Sequence, residues 1–357
     1  MDLKRCTKCI LPENYTGIEF DKDGVCNYCN EEVKKNPYLG KEKLIERINE
    51  ILSHHPDRKY DCVVGFSGGR DSTFLLWYIV KELHFKPLAV FIDSGLIPEQ
   101  TILNIRKTVQ ILNVDLKIIK NDSLKKIFKI HFNAWLKRPK PETLITLCVG
   151  CRLGVNKFID DEAVKQGIPI VLGGGSPFEG KHYKSNLIKL NPGHTGKPSF
   201  IFGYLKHIIL NPFLVINPKS LSTQLQEYYI TFYRQKRIIS RHNITRLALY
   251  HAYIRWEEKT IEKTLKEELK WERYPGLNTS YRGDCEIGLI RQYLYWKLLG
   301  YNDKDDHLSC LVRDHQLTRE EALRRLDDEH NIPKEILKKI CDKADINYND
   351  IEKLVES

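Results

Sequence analysis

The chain has 357 residues, 41% of them hydrophobic and 29% charged, with a formal net charge of +10 and a pI near 8.9. This is an ordinary globular composition, long enough to bury a substantial core as one large domain with attachments or as two to three modules. The charge fits an anionic partner, whether nucleotide, nucleotide-sugar, RNA or membrane surface, and a solvated Lys-rich surface accounts for it equally well.

The N-terminus, Met1-Asp2-Leu3-Lys4-Arg5-Cys6, runs into a cysteine pair without an apolar h-region, so a cytoplasmic protein is expected. The longest apolar stretch, 200–217, is broken by Lys206 and His207, which argues against a membrane-spanning helix. Residues 1–35 read as a metal-stapled ribbon. Cys6-x-x-Cys9 and Cys26-x-x-Cys29 enclose residues 10 through 25, a spacing suited to a four-cysteine Zn²⁺ site of structural type. Such a segment is too short to fold on apolar burial alone, and a bound ion supplies the missing energy.

Residues 55–185 alternate strand and helix signals. Strands are expected at 61–66, 87–93, 116–119 and 168–173, with helices at 71–83, 101–112 and 152–166, the pattern of a parallel sheet covered on both faces. Beyond Gly175 the strand signal fades, and residues 186–357 read as a helical C-terminal region. Its helices are expected at 221–233, 244–255, 260–269, 287–299, 318–328 and 334–343. Tyr228 to Arg237 interleaves aromatic and basic residues, which fits base stacking on RNA or, more simply, a helix with an aromatic core stripe.

The first strand ends in Gly65-Phe66-Ser67-Gly68-Gly69-Arg70-Asp71-Ser72 and leads directly into a helix. A strand, a Gly-Gly turn and a helix start bring several backbone N–H groups and the positive helix end to one point, as a pyrophosphate requires. Asp71 is placed to hold Mg²⁺, and Ser67 and Ser72 offer hydroxyls to phosphate oxygens. No Gly-Lys-Ser/Thr ending follows, so a Walker A loop is not indicated. Asp93, at the end of the next strand, is either an adenosine contact or a helix cap, and Gly173 and Gly174 end the last strand of the unit beside the same edge.

Cys148-Val149-Gly150-Cys151 precedes the last helix of the α/β unit and stands as a candidate catalytic pair or an iron–sulfur ligand pair, with Cys285 and Cys310 as candidate third ligands. Cys62 and Cys341 read as packed apolar residues.

Ser67-Gly68-Gly69-Arg70-Asp71-Ser72 resembles the PP-loop ATP pyrophosphatase signature, which implies an adenine nucleotide alpha hydrolase-like α/β domain that binds ATP and releases pyrophosphate. The whole chain resembles the N-acetyl sugar amidotransferases of bacterial surface-polysaccharide and nonulosonic-acid biosynthesis. The resemblance is carried by residues 5–12 and 20–29, by the loop with Gly173-Gly174-Gly175-Ser176, and by residues 269–276, 297–301, 307–309 and 317–323 in the same order. It implies adenylation of a sugar acetamido oxygen, displacement by ammonia from a separate glutamine-hydrolysing subunit, and an acetamidino product in lipopolysaccharide assembly. Within the last match, Thr318-x-x-Glu321 is a capping box, while Arg319 to Glu321 could instead face the substrate or the ammonia-supplying subunit. The chain departs from the family pattern at Cys148 to Cys151, where a Pro-Thr-Asp-type run is usual. The alternative is therefore sulfur transfer to tRNA or a small molecule, with Cys148 and Cys151 as persulfide or cluster ligands.

Overall fold

The computed structural model describes residues 3–31, 38–179, 182–189 and 197–356. After the ribbon, helix α1 (Gly40–Ser53) precedes strand β1 (Cys62–Gly65), helix α2 (Arg70–Trp77) and strand β2 (Pro87–Asp93). Helix α3 (Glu99–Leu112), strand β3 (Asp115–Lys120), helix α4 (Ser123–Leu136), helix α5 (Val149–Lys165) and strand β4 (Ile170–Gly173) complete the first half. Next come α6 (His182–Ile188), α7 (Lys197–Leu210), α8 (Phe213–Ile216), α9 (Pro218–Tyr229), α10 (Gln235–His242) and strand β5 (Thr245–Ala248). Six helices close the chain: α11 (Glu258–Leu269), α12 (Glu286–Leu299), α13 (Asp303–Arg313), α14 (Arg319–His330), α15 (Lys334–Ala344) and α16 (Tyr348–Glu356).

The five strands form one parallel sheet in the order β3-β2-β1-β4-β5. Central strands β1, β2 and β4 are buried along nearly their whole length, because side chains of alternating direction are covered on both faces. Cys62, Val64, Ala89, Phe91 and Leu172 pack toward α1, α2 and the C-terminal helices, while Val63, Leu88, Val90 and Val171 pack toward Ile159 and Ala163 of α5. Cys62 and Cys341 are buried among apolar neighbours, as expected of packing residues.

One expectation is corrected. Residues 244–255 do not form a single helix: Thr245–Ala248 pair with Ile170–Gly173 as the fifth strand, followed by a short helical turn at Leu249–Ala252. Four residues carry too little periodicity to announce a strand, and pairing with β4 decides it. The sheet thus recruits a strand from within the span 186–357 that reads as helical. The helix expected at 71–83 does begin at Arg70, and its last turn, Tyr78–Glu82, widens to i→i+5 spacing.

Candidate functional site

Ser67 to Asp71 lie at the carboxyl end of β1 beside β4, where the strand order reverses and an open parallel sheet forms its crevice. The turn needs its glycines. Gly68 sits at φ +76°, and a Cβ there would lie 2.6 Å from Ile105 Cγ1; one on Gly69 would lie 2.7 Å from a carboxylate oxygen of Asp284. Ser67 and Ser72 hold the turn's shape. Their hydroxyls are 3.0 Å apart, Ser72 Oγ accepts the Ser67 N–H at 3.2 Å, and Ser67 Oγ accepts the Gly69 N–H at 3.3 Å. The first-turn N–H groups of Arg70, Asp71 and Ser72 find no acceptor among the described residues, as a helix start leaves them. They are available to an anion.

Around this turn lies a cleft of about 210 Å³ lined by Gly65, Ser67, Gly69, Arg70, Asp71 and Ser72 on the loop side. Gly174 and Gly175 form its floor, with Glu179 beside them, and Ser280, Tyr281, Arg282 and Asp284 form the far wall. Gly174 is required where β4 passes α2, since a Cβ there would meet Leu75 at 3.1 Å and the Asp71 carbonyl at 3.2 Å. Gly173 ends β4 and is exposed. Asp93 lies at the end of β2, where its carboxylate accepts the Gly95 N–H at 2.9 Å. It does not cap α3, whose N-cap is Pro98; the Asp-Ser-Gly turn intervenes.

Arg70 and Asp71 diverge in role. Arg70 is buried, stacks 4.7 Å from the Trp256 ring, and donates to Glu258 at 2.7 Å and Ser280 at 2.9 Å. Asp71 accepts Arg70 Nε at 3.0 Å and the Trp256 indole N–H at 3.1 Å, both on Oδ1, so Oδ2 has no partner among the described residues. Burial pushes the Asp71 pKa up, with the nearby Glu179 adding to the effect and Arg70 opposing it. Burial likewise raises that of Asp284, against a hydrogen bond from Ser67. Three carboxylates, Asp71, Glu179 and Asp284, therefore line one small cleft next to the Gly-Gly turn. Their oxygens do not gather into a preformed three-ligand group, and Glu179 is engaged by Arg282, so the carboxylate oxygen left open to a hard cation on the loop side is Asp71 Oδ2.

The far wall was not legible as a site in the sequence. Glu258 receives Arg70, Arg325 at 2.5 Å and, at 3.4 Å, His307. His307 in turn stacks on Tyr281, with ring centroids 4.4 Å apart. Arg282, held in the left-handed region at φ +51°, pairs with Glu179 at 2.8 Å. The adjacent Asp303 is fully buried, yet Lys184, Arg291 and Arg282 hold its carboxyl well below the usual range against the opposing effect of burial. Burial, reinforced by Arg291, pulls Lys184 down to about 7.

Cys148 belongs to this charged cluster. Its Sγ accepts Arg291 Nη1 at 2.7 Å, and the residue is half-buried, outside the cleft lining. Cys151 falls on α5, and its side chain lies outside the described residues. Cys310 is engaged elsewhere, by Arg313 at 3.1 Å.

The N-terminal cysteines converge. The Sγ atoms of Cys6, Cys9, Cys26 and Cys29 lie within 4.8 Å of one another, the only such group of metal-ligand atoms among the described residues. Cys6–Cys29 and Cys9–Cys26 are separated by 3.9 and 3.7 Å, matching the sulfur separation of about 3.8 Å that tetrahedral bonds of about 2.3 Å require. Backbone N–H groups of Lys8, Cys9 and Cys26 point at Cys6 Sγ, the stabilisation a bound thiolate needs. Hydrogen bonding from Cys26 draws Cys9 down to about 6 and Cys29 to about 4, whereas its bond to Cys9 pushes Cys6 up to about 12. The cluster fits one tetrahedral metal. It docks on the C-terminal region through Arg319, whose Nε donates to the carbonyls of Cys6 and Cys9 at 3.0 Å each, and through Arg5 to Asp305 at 2.8 Å. Arg319 therefore faces the ribbon, and Thr318 caps α14 by accepting the Glu321 N–H at 3.1 Å.

Comparison with known proteins adds context to this geometry. Residues 268–357 match the family described as LPS biosynthesis protein WbpG-like, C-terminal domain. A 121-residue stretch is 27% identical to an uncharacterized protein of Methanocaldococcus jannaschii, covering 33% of this chain and 43% of that one, less than half the relative's length. Similar solved structures include the U34-tRNA thiolase NcsA from Methanococcus maripaludis with its [4Fe-4S] cluster, at 12% identity and TM-score 0.34 over 97% of this chain and 100% of that one. The NH3-dependent NAD synthetase from Campylobacter jejuni overlaps at 18% identity and TM-score 0.29 over 57% and 91% of the respective chains. Overlaps this loose leave the chemistry to the site's own residues.

Proposed function

We propose that the chain is an ATP-dependent amidotransferase of lipopolysaccharide assembly, which adenylates the acetamido oxygen of an N-acetyl sugar and replaces it with ammonia-derived nitrogen. One observation carries this reading. Ser280 to Asp284, inside the span that matches the WbpG-like C-terminal domain, form the wall facing Ser67 to Ser72, so the loop and that domain share one cleft.

An amide oxygen is a poor leaving group. Attack by that oxygen on the α-phosphorus expels pyrophosphate and gives an O-adenylated imidate; ammonia then adds to the carbon, and loss of AMP and a proton leaves the amidine. The free N–H groups of Arg70, Asp71 and Ser72 and the hydroxyls of Ser67 and Ser72 receive the departing pyrophosphate. Mg²⁺, which Asp71 would hold, would offset the charge on the phosphates. Arg70, turned away toward Glu258, fixes the angle of Asp71. Ammonia is expected from a separate glutamine-hydrolysing subunit, and Zn²⁺ at the four cysteines is a scaffold.

The test supplies ATP, Mg²⁺, ammonium and a UDP-linked N-acetyl sugar carrying a heavy-oxygen label in its acetamido group. The label should appear in AMP, and the sugar should exchange oxygen for NH in its mass spectrum. Asp71→Asn should abolish both; AMP formation without label transfer would overturn the proposal. The Arg291–Cys148 contact favours a second reading, in which Cys148, charged as a persulfide by a separate sulfur donor, attacks the same activated carbon with loss of AMP, and a thiol reductant then cleaves the S–S bond to leave the thioamide and the free cysteine. Iron and sulfide found after anaerobic purification, lost in Cys148→Ser, would select it; a Cys148→Ser chain that still forms amidine would reject it.

A further inference from the structure

The segment between β4 and β5 presents an apolar surface that the cleft does not use. Of sixteen large apolar side chains exposed among the described residues, ten fall between Phe202 and Tyr233. They are ordered by helix geometry. Phe202, Leu205 and Ile209 share one face of α7, and Leu221, Leu225 and Tyr229 share one face of α9 at a spacing of four. Phe213 and Ile216 of α8 join the two helices and are exposed as well, Ile216 at 68%. The Tyr229 and Tyr233 rings stack 6.4 Å apart on the outside, so the aromatic core stripe expected over this stretch is not found at those two positions.

The helix α9 is oriented opposite to an ordinary surface helix. Its inward positions are polar: Ser220 and Gln224 donate to the Leu214 carbonyl of α8 at 2.7 and 2.9 Å, and Thr223 Oγ1 lies 2.8 Å from Nε2 of His131 on α4. Polar groups anchor the helix while its leucines point outward. Such an arrangement is costly unless the outer face meets something apolar. Charge tells what that is. Residues 197–242 contain seven Lys and Arg against one Glu, in a chain whose total is +10; Arg234 is paired with Asp161, and Lys206 and Lys219 are the exposed cations on α7 and α9 themselves. Lys206, Lys219, Arg237 and Arg241 are exposed beside the apolar stripes.

We propose that α7 to α9 form an interfacial surface that lies on an anionic phospholipid bilayer, with the apolar stripes in the acyl boundary and the flanking cations at the headgroups. Aliphatic side chains predominate among the exposed residues, which suits lipid better than the stacking of RNA bases, where rings and not Ile209, Ile216 or Leu225 would contribute. No helix among the described residues is long and apolar enough to cross a membrane, so this surface lies on the bilayer. The attachment is separate from the chemistry at the loop and stands whether or not that chemistry is amide activation.

The test is co-sedimentation of the full chain with phosphatidylcholine vesicles, with or without a quarter of phosphatidylglycerol, alongside a single-stranded RNA oligomer and a sizing column. The wild-type chain should sediment with the anionic vesicles and far less with neutral ones. Ile209→Asp with Ile216→Asp and Leu225→Asp should weaken that binding by at least about tenfold, and so should Lys206→Glu with Lys219→Glu at low salt. All these side chains are exposed, and unchanged far-ultraviolet circular dichroism and pyrophosphate release would show that the variants fold. Absence of sedimentation with anionic vesicles would overturn the proposal, as would equal sedimentation of the triple variant. RNA binding or a dimer that the triple variant abolishes, without vesicle binding, would assign the surface to those partners instead.

Discussion

The Trp271 indole N–H donates to the carbonyl of Gly68 at 3.0 Å, although 203 residues separate the two in sequence. This bond ties the Gly-Gly turn to the start of the C-terminal region, and Asn104 of α3 extends the tie by donating to the Glu272 carbonyl at 2.7 Å. A turn whose middle residue sits at φ +76° is held from outside the α/β unit.

Trp271→Phe keeps an aromatic ring and removes the donor. It should cost about 1–2 kcal/mol of stability through the unsatisfied carbonyl and lost packing, and it should raise KM for ATP several-fold in a chain that remains folded. Denaturant melts and pyrophosphate-release kinetics measured together check this.

Gly68→Ala places a methyl in the left-handed region and against Ile105 and Thr101. The backbone penalty is about 1–2 kcal/mol and the overpacking penalty about 1–3 kcal/mol. The melting temperature should fall, and calorimetric ATP binding should be lost before folding is. In an Ile105→Ala background, which removes the Cγ1 that the new methyl would meet, the further cost of Gly68→Ala should be smaller.

Glu258→Gln tests the buried ion cluster. Its carboxyl is held well below the usual range by His307, Arg70 and Arg325 despite the opposing effect of burial. A depressed folded pKa means that its stabilisation is fully present above about pH 4.5 and is lost as pH falls through the folded value. The glutamine variant lacks it at every pH. Its deficit should therefore be about 1.5–3 kcal/mol near neutrality, because Arg70 and Arg325 lose a charged acceptor while Asp71 stays on Arg70, and should narrow in acid. Urea unfolding across a pH series reads both ends.

Chelation should strip one zinc per chain and destabilise the region that the ribbon covers, since Cys6 and Cys9 sit in one apolar cluster with Leu294, Tyr301 and Ile340. Arg319→Ala separates docking from metal binding. It should lose about 1.5–3 kcal/mol, the worth of charge-assisted bonds to the two carbonyls, and still retain its zinc. Elemental analysis paired with thermal melts distinguishes the chelated chain from Arg319→Ala; zinc loss in Arg319→Ala would show that docking and ligation are one event.

Much of the architecture could be read from local pattern. Strands of continuous apolar residues, the Gly-Gly turn at the end of β1 and the two Cys-x-x-Cys pairs are all written within a few neighbouring positions, so their periods and spacings survive without tertiary context. Ser67 to Ser72 and Gly174 accordingly line one cleft, and the four cysteines converge. β5 escaped because four edge residues are defined by their partner strand, and the outward leucines of α9 because periodicity reveals that a helix has an apolar face without saying which way it turns.

The sequence by itself determined most of the elements, the Gly-Gly turn and the two Cys-x-x-Cys turns, because each depends on bonds made within one or two turns of chain. Only the tertiary structure decided what faces the Gly-Gly turn. Asp284, Arg282 and Ser280 are brought to it by the packing of α11 to α14, and Arg70 is turned from the cleft to Glu258 by the same packing. Such contacts join residues 188 to 210 positions apart, and no local spacing records them, since burial and charge pairing are properties of the folded interior.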